Sequence, residues 1–125
     1  MRVLVVDDDP DQLSSLMALV QLEGYEPRGQ QDAMNVVGCI QEFDPDAVIL
    51  DIGLPGKNGF DAAREIRATI GGRRPLLIGL SGQYIKTMDR LLAGPAGFDH
   101  YLVKPAEPQV LLDLLKSADD ANRSR

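Results

Sequence analysis

Short, unbroken apolar runs alternate along this chain with longer stretches in which apolar residues return every three or four positions. Residues 3–6, 47–50 and 76–80 are runs of valine, isoleucine and leucine with an occasional alanine or glycine, the pattern of parallel strands covered on both faces. Residues 100–103 make a further strand. Residues 25–30 are weakly strand-like, and Pro27 inside them cannot donate to a ladder, which assigns that segment to a sheet edge.

Between these runs the period changes to that of a helix. Leu13, Leu16, Met17 and Val20 share one face, with Asp9 to cap the free amides, Pro10 at the first helical position and Glu23-Gly24 to stop it. Residues 32–41 place Ala33, Val36, Val37 and Ile40 on one face, and Phe60, Ala63, Ile66 and Ile70 do the same between Asn58-Gly59 and Gly71-Gly72. Ile85, Met88 and Leu92 sketch a shorter helix ended by Gly94-Pro95. Val110, Leu111, Leu114, Leu115 and Ala118 form the last helix, beyond which residues 120–125 read as a frayed tail.

Strand and helix thus alternate five times, and right-handed crossovers then give an α/β, doubly wound parallel sheet. With Pro27 marking an edge, the expected architecture is a flavodoxin-like (βα)5 domain with strand order 2-1-3-4-5 and its ligand crevice between the first and third strands. No internal repeat, linker or low-complexity segment divides residues 1–119, which read as one domain.

Composition narrows the function. A chain of 125 residues with 44% hydrophobic content supports one ordinary core. A net charge of -6 is the wrong sign for wrapping nucleic acid or lying on anionic lipid. The single cysteine, Cys39, excludes an intramolecular disulfide and reads as a packing thiol, and no cysteine cluster offers a metal site. The first apolar run is too short for a signal peptide, and no stretch approaches the roughly 18 apolar residues of a membrane span. A soluble, cytoplasmic protein is expected.

What each strand ends in carries the chemistry. Asp7, Asp8 and Asp9 follow the first, Asp51 closes the third, Ser81 the fourth and Lys104 the fifth. In a parallel sheet these ends share one edge, so carboxylates, a hydroxyl and an ammonium converge. Clustered carboxylates repel unless a cation intervenes, and an all-oxygen site with open positions suits Mg²⁺ or Mn²⁺. With charge neutralised, the carboxylate of Asp51 can attack a phosphoryl group while Ser81 and Lys104 stabilise its oxygens, giving an aspartyl phosphate. Asp9 reads as a helix cap, and His100, the lone histidine, as an edge-strand residue.

Val5-Val6-Asp7-Asp8-Asp9-Pro10, Leu50-Asp51-Ile52-Gly53-Leu54-Pro55-Gly56, Leu80-Ser81-Gly82 and Tyr101-Leu102-Val103-Lys104-Pro105 together resemble the response-regulator receiver domain across essentially the whole chain. The resemblance implies that Asp51 accepts a phosphoryl group from a phosphohistidine on a sensor histidine kinase or histidine phosphotransfer protein. It implies that Asp8 and Asp51 bind Mg²⁺ directly, Asp7 through water and Gly53 through its carbonyl. Ser81 and Tyr101 match the family's switch pair, and Lys104-Pro105 its cis peptide. The wording around Asp51 and residues 97–105 is similar to receivers attached to hybrid histidine kinases. Output is expected through protein contacts, from a monomer or a weak homodimer joined through the fourth helix, last strand and fifth helix. Self-catalysed phosphotransfer and dephosphorylation are expected without turnover of an independent substrate.

Two departures from the family stand out. Gly53 has no side chain where many members carry a polar one, and Gln83 replaces a charged group; both imply a phosphoryl lifetime unlike that of fast chemotaxis regulators. An alternative reading, a haloacid-dehalogenase-like phosphatase using Asp7 and Asp9, leaves Asp51 unused. A degenerate receiver acting only as a binding module is disfavoured because no site residue is missing.

Overall fold

In the computed structural model, which describes residues 1–54, 56–71, 74–82 and 94–123, five strands and four helices follow one another. The strands are β1 (Arg2–Val6), β2 (Glu26–Gln30), β3 (Ala47–Asp51), β4 (Leu76–Ser81) and β5 (His100–Val103). The helices among the described residues are α1 (Pro10–Leu22), α2 (Val36–Phe43), α3 (Gly59–Thr69) and α4 (Pro108–Arg123). All neighbouring strands pair in parallel in the order β2-β1-β3-β4-β5, so this is the flavodoxin-like fold with β1 and β3 adjacent.

Alternation within each strand explains why the central strands are apolar throughout. Leu4, Val6, Val48, Leu50 and Leu77 point to one face, where they meet Val36, Ile40 and Phe43 of α2 and Ala62, Ala63 and Ile66 of α3. Val3, Val5, Ala47, Ile49, Ile78 and Leu80 point to the other, against Leu13 and Val20 of α1 and Leu111 and Leu115 of α4. Each such leucine, isoleucine or valine, fully withdrawn from water, contributes roughly 1.5–3 kcal/mol, and the two layers together fix strand register. The edge strands β2 and β5 are only half-buried, which is why Pro27 is tolerated.

Several boundaries differ from those read in the sequence. The helix expected over 32–41 begins only at Val36, because Asp32 Oδ1 accepts from Met34 N at 3.0 Å and closes a side-chain turn in place of the first helical turn. Ala33 is buried all the same, from that turn. At its other end α2 runs on to bury Phe43, then stops at Asp44 in a left-handed conformation, φ 51°. The last helix continues to Arg123, past the boundary at residue 119: its apolar period has ended, yet Ala118 and Ala121 favour helix and no glycine or proline stops it. Val110, placed on that helix's buried face, is 42% exposed. Ile85, Met88, Leu92 and Gln83 lie outside the described residues. Residues 94–96 are helical and Gly97, at φ +116°, follows them; the helix expected to end at Gly94-Pro95 has its apolar residues outside the described ones. Cys39 is half-buried on α2, its thiol pKa pushed up by burial and by Glu42.

Candidate functional site

Pairing register builds the site. Val6 lies opposite Leu50, so the next residues on these strands, Asp7 and Asp51, stand side by side at the carboxyl edge of the sheet. Asp51 pairs with Leu80, which sets Ser81 one step beyond, and Ser81 pairs with Val103, immediately before Lys104. Backbone bonds extend this order past the strands: Asp7 N donates to Gln30 O at 3.0 Å, Ile52 N to Leu80 O at 2.8 Å and Lys104 N to Ser81 O at 2.6 Å. The Lys104–Pro105 peptide bond is cis, as is Arg74–Pro75.

Among the described residues the buried polar or charged side chains are Asp7, Asp51 and Ser81, at 1%, 5% and 7% exposure. All three stand at this edge. Buried ionisable groups need partners, and these have them. Lys104 Nζ donates to Asp51 Oδ2 at 3.0 Å, to Asp7 Oδ2 at 3.4 Å and to Gln12 Oε1 at 3.0 Å. The other oxygen of each carboxylate is held by backbone: Asp9 N donates to Asp7 Oδ1 and Gly53 N to Asp51 Oδ1, both at 3.0 Å.

One ammonium does not neutralise this set. Burial pushes the Asp7 carboxyl above its ordinary 3.8, against the pull of the Asp9 amide and Lys104, and the neighbouring Asp51 charge adds to the rise. Burial pulls Lys104 down, but its hydrogen bond to Asp51 and the charges of Asp51 and Asp7 prevail and hold it above the ordinary 10.5. Asp8, exposed, supplies a third carboxylate: one oxygen from each of Asp7, Asp8 and Asp51 lies within 4.8 Å of the others. Three hard anionic oxygens with an open, solvent-facing side form a donor set that can hold a divalent cation such as Mg²⁺.

The remaining candidates sit at or beyond the rim. Ser81 Oγ donates to Gly82 O at 3.3 Å. Gly53 is exposed, and a Cβ built on it would meet only Asp51 Oδ1, at 3.9 Å, so any side chain there would face the Asp51 carboxylate. Tyr101 has its partners elsewhere: it stacks on Phe60 (centroids 6.1 Å apart, 21°) and meets Phe98 edge-on at 6.1 Å. Gly79 makes room for both rings, since a Cβ there would approach Phe98 to 3.0 Å and Tyr101 to 3.1 Å. Asp9 caps α1, accepting from Asp11 N at 3.0 Å. Sequence reading missed Gln12, which sits on a helix's first turn and carries no charge to mark it.

With this geometry in hand, the comparisons agree. The family model for the response regulator receiver domain matches residues 3–116. The DNA-binding response regulator MtrA of Mycolicibacterium smegmatis is 35% identical over 111 residues, 89% of this chain and 47% of that protein. The aerobic respiration control protein ArcA of Escherichia coli is 32% identical over 110 residues, 88% of this chain and 44% of that protein. Among solved structures, a CheY-like receiver domain protein from Methanospirillum hungatei superposes with a TM-score of 0.85 at 28% identity, covering 99% of this chain and 98% of that one. The BeF3-activated N-terminal receiver domain of Klebsiella pneumoniae RstA gives 0.84 at 26% identity, covering 94% and 97%. This chain belongs to the response regulator receiver domain family of two-component signalling. It spans about half the length of the curated relatives it matches, and none of the relatives named here is a hybrid kinase. Among the described residues no helix is long and apolar enough to cross a membrane.

Proposed function

We propose that this receiver domain takes a phosphoryl group onto Asp51 from a phosphohistidine on a sensor histidine kinase or histidine phosphotransfer protein, in a Mg²⁺-dependent step. The observation that carries the reading is Lys104 Nζ at 3.0 Å from Asp51 Oδ2, beside three carboxylates whose oxygens lie within 4.8 Å of one another. Asp8 and Asp51 would hold the cation directly, Asp7 through water and Gly53 through its carbonyl. Mg²⁺, when bound, supplies charge neutralisation at the carboxylates and the phosphoryl oxygens; Mn²⁺ has the same ligand chemistry.

An Asp51 oxygen attacks the phosphorus, a P–O bond forms, the P–N bond to the donor imidazole breaks, and the departing imidazole takes up a proton. Lys104 offers its ammonium to the transferred oxygens as they gain charge, and Ser81 turns its hydroxyl from Gly82 O to the same group. Hydrolysis of the aspartyl phosphate resets the domain, with no independent substrate turned over. Movement of Ser81 reaches Tyr101 through the β4–β5 pairing, and exchange of that ring between its seat on Phe60 and Phe98 and an outward position shifts the population of two surface packings. The net charge of -6 supports output through protein contacts. The DNA-binding character of the MtrA relatives belongs to proteins about twice this length, and this domain acts as a monomer or as a weak homodimer through the expected fourth helix, β5 and the last helix.

A phosphatase using Asp7 as its nucleophile fits less well. It leaves Asp51 without a role, although Asp51 is the carboxylate closer to Lys104 Nζ, at 3.0 Å against 3.4 Å for Asp7. Incubation with Mg²⁺ and a phosphorylated phosphotransfer domain, followed by intact mass measurement, should add one phosphoryl group to the wild type and none to Asp51→Asn. An acyl phosphate mapped to Asp7, or an Asp51→Asn variant that is still labelled, overturns this reading.

A further inference from the structure

Gln12 is the third residue of α1, and Asp9, three positions before it, is the cap. A glutamine at this spacing ordinarily reaches back to the cap's own backbone N–H. Here that N–H is already taken, since Asp9 N donates to Asp7 Oδ1 at 3.0 Å. The half-buried Gln12 carboxamide turns to the site instead, and its Oε1 accepts from Lys104 Nζ at 3.0 Å, across 92 residues of chain. That contact is as short as the one from Lys104 to Asp51 and shorter than the 3.4 Å contact to Asp7.

An ammonium has three protons to donate, and Lys104 has Asp7, Asp51 and Gln12 as acceptors. If Asp51 is the phosphoacceptor, on which this inference rests, two of those acceptors are claimed by a cation and a phosphoryl group. Gln12 is the acceptor that neither claims. We propose that Gln12 is a positioning residue, which keeps the Lys104 ammonium directed at Asp51 when the two carboxylates are engaged elsewhere. Being neutral, the carboxamide does this without deepening the negative charge that repels an incoming phosphoryl group. Its effect therefore falls on binding of the anion and not on binding of the cation.

Gln12→Met keeps the length and packing of the side chain and removes the acceptor. With the full chain at saturating Mg²⁺, beryllofluoride affinity should fall about tenfold, the equivalent of one charge-assisted hydrogen bond at about 1.4 kcal/mol per decade. Mg²⁺ affinity, titrated without beryllofluoride, should stay as in the wild type. The ¹⁵N signal of the Lys104 ammonium, assigned by its loss in Lys104→Met, should be sharp in the wild type and broadened in Gln12→Met. Unchanged beryllofluoride affinity and an unchanged ammonium signal overturn the inference while leaving the phosphoacceptor reading intact. Mg²⁺ affinity that falls in step with beryllofluoride affinity also overturns it, by showing general damage to the site. Failure of the wild type itself to bind beryllofluoride with Mg²⁺ defeats the phosphoacceptor reading instead.

Discussion

Asp7 bears the cost of burying a carboxylate at the site. Its carboxyl is 1% exposed and titrates above 3.8 in the folded protein, chiefly because burial disfavours its charged form. The sign follows from linkage. Stability should fall as pH rises from 3.8 through the raised value, and the full cost is present above it. Asp7→Asn removes that dependence, so without Mg²⁺ the variant should match the wild type in acid and melt above it at neutral pH. Thermal melts across this range check it, and a variant that melts below the wild type at neutral pH without Mg²⁺ would show Lys104 pairing to outweigh desolvation. Asp7, Asp8, Asp51, Ser81 and Lys104 were legible in the sequence because each interrupts or follows an apolar run. Gln12 was not: on a first helical turn it looks like a solvated or capping side chain, and its tie to Lys104 spans the whole domain.

Helix placement governs where those side chains stand. Asn58 caps α3, its side chain accepting from Asp61 N, and Gly59 then brings the helix close against the end of β3. A Cβ on Gly59 would lie 2.7 Å from Ile52 Cα and 2.9 Å from Asp51 O, both backbone atoms that cannot swing aside. Gly59→Ala should therefore cost about 2–4 kcal/mol in a urea melt and, by displacing the Asp51 backbone, slow its phosphorylation; wild-type values of both would show that this approach is not constraining. Farther along α3, Arg67 Nε donates to Gly97 O at 3.0 Å and its guanidinium to Asp99 Oδ2 at 2.8 Å, while Asp99 Oδ2 also accepts from Leu77 N at 2.8 Å. This ties α3 and β4 to the segment leading into β5, and so to the ring of Tyr101. Periodicity located α1, α3 and the last helix well, because their apolar faces are long. It misplaced α2, where the local turn at Asp32 competes with helix, and it set the last helix's end too early, because propensity carries a helix beyond the residues that need burial.

For the molecule as a whole, a cation that binds only the folded state must stabilise it. At a Mg²⁺ concentration of 100 times its dissociation constant the gain is about 2.7 kcal/mol. Calorimetry should show the melting temperature climbing with Mg²⁺ and returning on addition of a chelator. Asp8→Asn, which removes the exposed carboxylate of the cluster, should abolish most of the climb while leaving the melt without Mg²⁺ nearly unchanged. An equal Mg²⁺ response in Asp8→Asn would remove that residue from the proposed ligand set.

The order of elements, the parallel sheet and the residues that end its strands are properties of the sequence itself, because burial on both faces demands unbroken apolar runs and functional groups can stand only where those runs stop. Pro27 on β2 likewise announced an edge. The distances that make a site of those residues depend on packing: the Val6–Leu50 register that sets Asp7 beside Asp51, the closeness of Gly59 to Ile52, and the arrival of Lys104 among Asp7, Asp51 and Gln12. Local patterning carries no information about contacts between residues 92 or 97 positions apart. Those arise when two apolar layers lock five strands into one register, and the chemistry proposed for Asp51 follows from that locking.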